Sequence, residues 1–267
     1  MLVRYAIPCL ASRENAVIVS ENLHVFGMGE GSVAELIDDL MQGANPTAAT
    51  YAKDNEMFVR VTARAETEEQ ARAMMKPLSD AIRERIGHYV YGSDCESLEE
   101  LAVRELLKAG KTLATAESCT GGLLSKRITD VSGASQVFEM GAVTYANRIK
   151  EQVLGVSHET LEAHGAVSPE TAREMAQGIR RAAGSDLGIG ITGIAGPGGG
   201  TPEKPVGLVY IALSDGENTW VRKMMPGSAG RPRSRTWQRN AAASHALDMV
   251  RRYLQNLGGL EDAGLKR

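Results

Sequence analysis

The stretch Thr112-Leu113-Ala114-Thr115-Ala116-Glu117-Ser118-Cys119-Thr120-Gly121-Gly122-Leu123-Leu124-Ser125-Lys126-Arg127-Ile128 decides the fold. Residues 112–116 are short, mostly apolar and uncharged, the profile of a buried strand, and residues 123–128 carry leucine and isoleucine at helical spacing. A polar, glycine-containing turn separates the two. A strand that passes so directly into a helix belongs to an α/β layer rather than to a helix bundle or a β-sandwich.

Reading outward confirms the alternation. Ser97-Leu98-Glu99-Glu100 has capping-box spacing ahead of Leu98, Leu101, Leu106 and Leu107, and Gly110 is placed to end that helix. After the central turn come a strand over 137–146, a helix from Asn147, and a helix begun by Ser168-Pro169-Glu170, with Ser as N-cap and Pro in the first turn. A strand over 187–192 leads into a glycine-rich stretch at 193–200. Residues 206–213 and 219–225 read as a hairpin around Asp215-Gly216, and 235–257 as a closing amphipathic helix. The expectation is a layered α/β domain with a mixed sheet.

The first third of the chain has a different character. Residues 1–95 hold nine Lys/Arg against fourteen Asp/Glu, and the rest twenty-one against nineteen, for a net charge of −3. The break falls at Tyr91-Gly92-Ser93-Asp94, a turn or linker. Before it, residues 23–26 form a short strand candidate and residues 32–41 a helix, stopped by Asn45-Pro46-Thr47. Met57, Val59, Val61 and Ala63 alternate with Phe58, Arg60, Thr62 and Arg64, a strand with one buried face. Residues 67–86 follow as a helix and 88–91 as a last strand, a β-α-β-α-β unit. The boundaries expected are 1–95, 96–257 and a mobile tail, 258–267.

Composition excludes several classes. No run approaches the ~18–20 apolar residues that span a bilayer, and the start lacks a signal-peptide core, so a cytoplasmic protein without membrane contact is expected. Cys9, Cys95 and Cys119 are odd in number and without a CxxC pair, which argues against a disulfide framework or a thiolate metal site. The five histidines hold no HExxH spacing, so no metal is expected.

Four segments can carry chemistry. The turn Glu117-Ser118-Cys119-Thr120-Gly121-Gly122 opens a helix whose free backbone N–H groups can hold a phosphate or an oxyanion. Its plainer use is that Ser118 or Thr120 caps the helix while the glycines turn the chain. In Thr144-Tyr145-Ala146-Asn147-Arg148-Ile149-Lys150, a desolvated Lys150 can act as a general base with Tyr145 as a relay, or both can be ordinary half-solvated side chains. Thr192-Gly193-Ile194-Ala195-Gly196-Pro197-Gly198-Gly199-Gly200 lacks the Gly-Lys-Ser/Thr ending of a P-loop, which disfavours a nucleoside triphosphatase and leaves a loop at a strand end. The basic set Arg222, Lys223, Arg231, Arg233, Arg235 and Arg239 places Arg235 and Arg239 four apart, able to clamp a phosphate or to form a solvated face. Cys119, with no histidine nearby in sequence, reads as a small packed side chain rather than an activated thiol.

Together, Ala116 through Gly122, Gly141-Ala142-Val143-Thr144-Tyr145, Lys150, Leu161-Glu162-Ala163-His164-Gly165-Ala166-Val167-Ser168, Thr192 through Pro197, and Lys204-Pro205-Val206-Gly207 resemble the carboxy-terminal domain of the competence/damage-inducible CinA family over roughly 97–257. Gly27-Met28-Gly29-Glu30, Asn45-Pro46-Thr47-Ala48 and Tyr51-Ala52 make residues 1–95 similar to the family's small α+β KH-like middle domain. The amino-terminal molybdopterin-binding-like domain of full-length members, with its ADP-ribose pyrophosphatase activity, has no counterpart in these motifs. Residues 227–234 also replace the family's compact Gly-Asp-Arg turn.

Stand-alone members of the family are nicotinamide-nucleotide amidohydrolases, so the resemblance implies hydrolysis of nicotinamide mononucleotide to nicotinate mononucleotide and ammonia. On that reading Ser118 is the nucleophile, Lys150 its base and Tyr145 the orienting group. Backbone amides near Thr120, Gly121 and Gly122 hold the oxyanion, Cys119 is a further substrate-binding residue, Thr192 and Gly193–Gly196 border the nucleotide, and Arg239 with Arg235 meets the phosphate. No cofactor is required, and a homodimer or higher oligomer is implied. The competing class is a non-catalytic nucleotide-sensing or protein-interaction module linked to competence and DNA repair. Nucleic acid ranks last as a partner: the 27–31 loop holds Glu30 and no Lys or Arg, inside a net-acidic segment.

Overall fold

The computed structural model describes residues 16–53, 55–94, 96–225 and 233–261. Cys9, Cys95 and Arg231 therefore lie outside the described residues, as do most of the 227–234 turn and the 262–267 end of the tail. The chain divides into two compact units, Met1–Glu96 and Ser97–Arg267.

The first unit is a four-stranded antiparallel sheet, in the order β2-β3-β1-β4, with helices packed on one face. Its elements are β1 (Val17–Val25), α1 (Glu30–Leu36), a 3₁₀ turn (Asp38–Gln42), β2 (Thr47–Lys53), β3 (Glu56–Ala65), α2 (Glu68–Ile86) and β4 (Val90–Ser93). The alternation in β3 works as expected: Met57, Val59, Val61 and Ala63 are buried with Leu23, Val25, Ala71, Met75, Ile82 and Ile86. Other expectations need correction. β1 is twice the length read from 23–26, α1 starts earlier at Glu30 and breaks at Ile37, and residues 87–89 form a 3₁₀ turn before β4. β2 was not anticipated, because Thr-Ala-Ala-Thr-Tyr-Ala-Lys carries little large apolar content; its strand character comes from pairing with β3, from Thr47 opposite Thr62 to Lys53 opposite Glu56.

The second unit contains α3 (Leu98–Ala109), β5 (Leu113–Glu117), α4 (Leu123–Thr129), β6 (Phe138–Val143), α5 (Asn147–Leu154), α6 (His158–His164), α7 (Pro169–Ala183), β7 (Leu187–Gly193), β8 (Val209–Ser214), β9 (Thr219–Met224) and α8 (Arg235–Leu254). The sheet runs β6-β5-β7-β8-β9, with β6, β5 and β7 parallel and β8 and β9 antiparallel, the mixed sheet expected. Helix starts follow their caps: Ser97 and Glu100 form the capping box of α3, Ser168 caps α7 with Pro169 in its first turn, and Ser234 caps α8. α6 was missed because it is short and mostly polar.

Strand parity sorts the core. Ala114 and Ala116 face Leu154, Val156, Leu161, Met175 and Ile179 of the α5–α7 layer. Their partners on β7 are Gly188 and Gly190. A Cβ on Gly190 would lie 2.5 Å from the Ala172 carbonyl and 2.6 Å from the Ala176 nitrogen, so glycine is what lets α7 rest on the sheet backbone. Leu113, Thr115 and Glu117 face the opposite way, where Thr115 Oγ1 lies 2.8 Å from Ser125 Oγ on α4.

α8 is not the one-sided amphipathic helix expected. Ala241, Ala242, Ala243, Ser244 and the whole of 246–252 are buried, because small side chains let the helix sink between neighbours and its charges pair internally. Past α8, Arg252 donates to the Gly258 carbonyl at 2.8 Å and Arg222 to that of Gly259 at 2.7 Å.

Candidate active site

Because β5, β6 and β7 are parallel, their carboxyl ends open at one edge of the sheet, the usual position for a ligand in such folds. Ser118 follows β5, Thr144 and Tyr145 follow β6, and β7 ends at Thr192 and Gly193. A cavity of about 280 Å³ lies there, lined by Ser118, Cys119, Tyr145, Lys150, Ala166, Val167, Thr192, 193–196, Gly198, Gly199 and Arg235.

The Ser118 turn is held on all sides. Ser118 N donates to the Ile191 carbonyl at 3.0 Å, tying the loop to β7, and Gly121 N donates to the Ser118 carbonyl at 3.1 Å. Gly121 and Gly122 have φ of +60° and +90°, which other residues adopt only with strain. Neither Ser118 nor Thr120 caps α4, whose N-cap is Gly122 with no side-chain bond. Glu117 does that work: its carboxylate accepts from Gly122 N at 2.9 Å, Leu124 N at 3.1 Å, and Ser125 N at 2.8 Å. The expected row of free amides at 120–122 is thereby corrected. In this loop, the amides of Cys119 and Thr120 make no backbone–backbone hydrogen bond among the described residues.

Lys150 projects from α5 and is 1% exposed. Its Nζ donates to the carbonyls of Thr144 at 2.8 Å and Tyr145 at 3.2 Å, and lies 3.3 Å from Ser118 Oγ. Among the described residues no carboxylate pairs with it, and burial pulls its pKa below the usual lysine value. A neutral amine fits these contacts: two N–H groups meet two carbonyls, and the lone pair is left for the serine hydroxyl. Cys119 stands beside Ser118, but burial, with Glu117 adding to it, pushes its thiol up to about 12, so it is not an activated nucleophile.

Tyr145 lines the same cavity as Ser118 and Lys150. Its ring is 62% exposed and its hydroxyl lies 3.4 Å from Arg235 Nη2, while its backbone carbonyl is what meets Lys150. The two arginines also part company. Arg235 lines the cavity and donates from Nη1 to the Gly196 carbonyl at 2.8 Å. Arg239 is not among the lining residues; its Nε donates to the Thr120 carbonyl at 3.1 Å, and Nη2 reaches the same oxygen. One helical turn along α8 separates a cation facing the pocket from one that grips the loop behind it.

Thr192 Oγ1 donates to the Ala166 carbonyl at 2.6 Å, holding the segment that supplies Ala166 and Val167 to the wall. A Cβ on Gly193 would lie 2.7 Å from the Leu208 carbonyl, and one on Gly196, at φ +76°, would run into Val206. Both glycines are needed by the chain's path. Thr120, Gly121 and Gly122 shape the turn without lining the cavity, and Ile194 and Ala195 line it within the 193–196 stretch, whereas Ala166 and Val167 are wall residues that motif reading left without a role. Their signal was an apolar patch between a helix end and the Ser168 cap, which sequence alone reads as a connection. The basic set is not a solvated face throughout, since Arg222 bonds Asp248 at 2.9 Å with its side chain 11% exposed. Among the described residues no group of three or more His, Cys, Asp or Glu side chains is arranged to hold a metal, and no helix is long and apolar enough to cross a membrane.

A mixed α/β unit whose parallel strands end at a serine–lysine pocket, preceded by a small antiparallel α+β unit, defines the class of protein. Residues 95–254 match the CinA C-terminal domain and residues 20–92 the damage-inducible protein CinA KH domain. The chain belongs to the CinA family.

Among its relatives, a "CinA-like protein" of Desulfovibrio desulfuricans is 54% identical over 257 residues, covering 96% of this chain and 60% of that protein. A "putative competence-damage inducible protein" of Caldanaerobacter subterraneus subsp. tengcongensis is 51% identical over 255 residues, with coverages of 96% and 60%. The chain thus spans about three fifths of the length of these relatives. Among solved structures, competence/damage inducible protein CihA from Agrobacterium tumefaciens is 41% identical with a TM-score of 0.55, covering 59% of this chain and 95% of that one. A CinA superfamily protein from Klebsiella pneumoniae is 32% identical with a TM-score of 0.55, covering 60% and 99%.

Proposed function

We propose that the pocket is an amidohydrolase site that converts nicotinamide mononucleotide to nicotinate mononucleotide and ammonia. The observation that carries the chemistry is Lys150: a buried amine, without a carboxylate partner among the described residues, 3.3 Å from the hydroxyl of Ser118. A protein that buries an uncompensated lysine loses stability by it, and a base next to a nucleophile is a use that offsets the loss. The identity of the amide follows the resemblance to family members that deamidate this nucleotide.

The steps balance as follows. Lys150 Nζ takes the Ser118 proton while Oγ attacks the carboxamide carbon, and the carbonyl oxygen becomes an oxyanion. The amide of Cys119, directly after the nucleophile and at the cavity wall, receives it. The C–N bond breaks as Lys150 returns the proton to the leaving nitrogen, releasing ammonia and leaving an ester on Ser118. Water then attacks that ester, Lys150 accepts its proton, and Ser118 departs protonated. Arg235 faces the same cavity and supplies the cation for the phosphate.

The test is ammonia release from purified protein given nicotinamide mononucleotide, with nicotinate mononucleotide identified by chromatography and Ser118→Ala run in parallel. Turnover that falls on the order of 10³-fold or more in the variant supports the reading. Saturable binding and nucleotide-dependent thermal stabilisation without product, in a folded wild type, replaces it with the sensing module.

A further inference from the structure

We infer that Glu117 and Arg239 are positioning residues that hold the Ser118 turn from behind, so that the Ser118 hydroxyl stays beside Lys150 Nζ and Cys119 stays at the cavity wall. The inference rests on the proposed reading of Ser118 as nucleophile and names two residues that reading does not use.

Glu117 is the last residue of β5, and its parity turns its side chain away from the α5–α7 layer and toward the start of α4. It is fully buried, and among the described residues neither Lys nor Arg pairs with it. Four donors satisfy it instead: Gly122 N and Leu124 N on one oxygen, and Ser125 N with the Ser125 hydroxyl, the latter at 2.6 Å, on the other. A carboxylate this enclosed fixes each of those peptide groups to the end of a central strand.

Arg239 acts on the other side of the same turn. It comes from α8, 119 residues away in sequence, and places two guanidinium nitrogens on the single carbonyl of Thr120. That carbonyl belongs to the peptide that Gly121 continues in the left-handed region. With Ser118 N fixed on Ile191, Thr120 O on Arg239, and Gly122 N on Glu117, the turn is tied at three points along five residues. The peptide groups left between the ties are those of Cys119 and Thr120. The arrangement separates duties: Glu117 occupies the helix start, so the pocket's anion-binding cation is Arg235, and Arg239 is engaged on the protein itself.

The test uses the full chain and two readouts. One is the rate at which a fluorophosphonate, a serine-directed probe, labels Ser118; the other is kcat and KM for nicotinamide mononucleotide. Glu117→Gln keeps the side chain's shape but replaces an accepting oxygen with an amide nitrogen. Arg239→Met keeps length and removes the grip, and Arg239→Lys restores the charge without the fork.

Both Glu117→Gln and Arg239→Met are expected to label about tenfold or more slower than wild type and to lose kcat to a similar degree, with KM within about threefold. Arg239→Lys should recover part of the loss. A purely structural role lowers the melting temperature without slowing the labelling of the folded fraction. A phosphate-contact role for Arg239 raises KM and spares labelling. Either result overturns the inference for the residue concerned. Should Glu117→Gln fail to fold, Ser125→Ala releases one of the four donors and is expected to slow labelling about threefold; an unchanged rate overturns the role of Glu117. A wild type that labels at Ser118 but leaves the nucleotide intact removes the substrate assignment alone, and the relative labelling rates still decide the positioning roles.

Discussion

Two charges are buried in the second unit under opposite conditions. Asp248, on α8 with its side chain 2% exposed, is bonded by Arg222 at 2.9 Å, Arg251 at 2.7 Å and Arg252 at 2.8 Å. Burial works against its charged form, but the three guanidinium groups outweigh burial and hold the carboxyl below its usual range. Lys150 is as deeply buried and, among the described residues, meets two carbonyls and a hydroxyl but no carboxylate. The first is a knot that ties β9, α8 and the segment after α8 together; the second is a charge site with its compensation withheld. The difference separates architecture from chemistry better than burial itself, since a fully satisfied ion cluster has no reason to exchange protons and a lone amine beside a hydroxyl does.

The sharpest way to break this contrast is to remove the amine. Lys150→Met should lower kcat by roughly 10²–10⁴-fold, the range of a general base, while KM changes little. Its stability effect should have the opposite sign to that of an ordinary buried lesion. The folded-state pKa of Lys150 is lowered, so the unfolded chain binds the proton more readily, and burial costs stability at every pH below the ordinary lysine value of the unfolded chain. Chemical denaturation at pH 7 should therefore find the variant as stable as wild type or more so. The activity of wild type should rise with pH through the same depressed pKa, because only the neutral amine accepts the serine proton. A flat profile would remove Lys150 as the base.

Asp248→Ala should do the reverse, costing about 3–5 kcal/mol because three guanidinium groups lose their shared carboxylate. For a unit of this size that corresponds to roughly 10 °C in Tm by calorimetry, with the kcat of the folded fraction retained. An Asp248→Ala protein that melts with wild type would put the knot among the charge clusters that contribute nothing.

The smallest expected effect lies at His245, which burial and the neighbouring Arg222 push down to about 4 from 6.5. Asp248 opposes that shift and Arg252 adds to it. Because the folded-state value is lowered, the unfolded chain takes up the proton first, so stability is lost as pH falls from 6.5 toward 4. The loss attributable to this residue is about 3 kcal/mol across that window. Melting curves of His245→Gln should show a shallower acid slope than wild type, and equal slopes would place the titration elsewhere.

Much of this was legible in the sequence where one interaction dominates. Strand alternation around Val59 and Val61, the Ser97 and Ser168 caps, and the central strand–turn–helix all follow from local pattern, and the structure reproduces them. Ser118, Lys150, Thr192 and Arg235 come to one pocket because parallel strand ends converge, which the order of elements already implied.

What escaped depends on partners distant in sequence. β2 is a strand because β3 lies beside it. Glu117 caps α4 across five residues of loop, a task that local pattern assigns to the hydroxyls of Ser118 and Thr120. Tyr145 gives its carbonyl to Lys150 while its phenol lies beside Arg235, a pairing with α8 that local pattern does not show. Arg235 and Arg239 share a helix face by spacing, yet one meets the pocket and the other Thr120, because the loop wraps past α8 between them.

The order of the sheet also sets the order in which it is built. β8 and β9 meet across residues 215–218, a contact that a collapsing chain finds early. β5 and β7 join positions as remote as Thr112 and Asp186, 74 apart. The entropy of closing a loop grows with its length, so the strand pair that ends at Ser118 and Thr192 is assembled late. On the proposed amidohydrolase reading, a nascent or partly opened chain then holds no primed serine, and reactivity would arrive with the finished sheet.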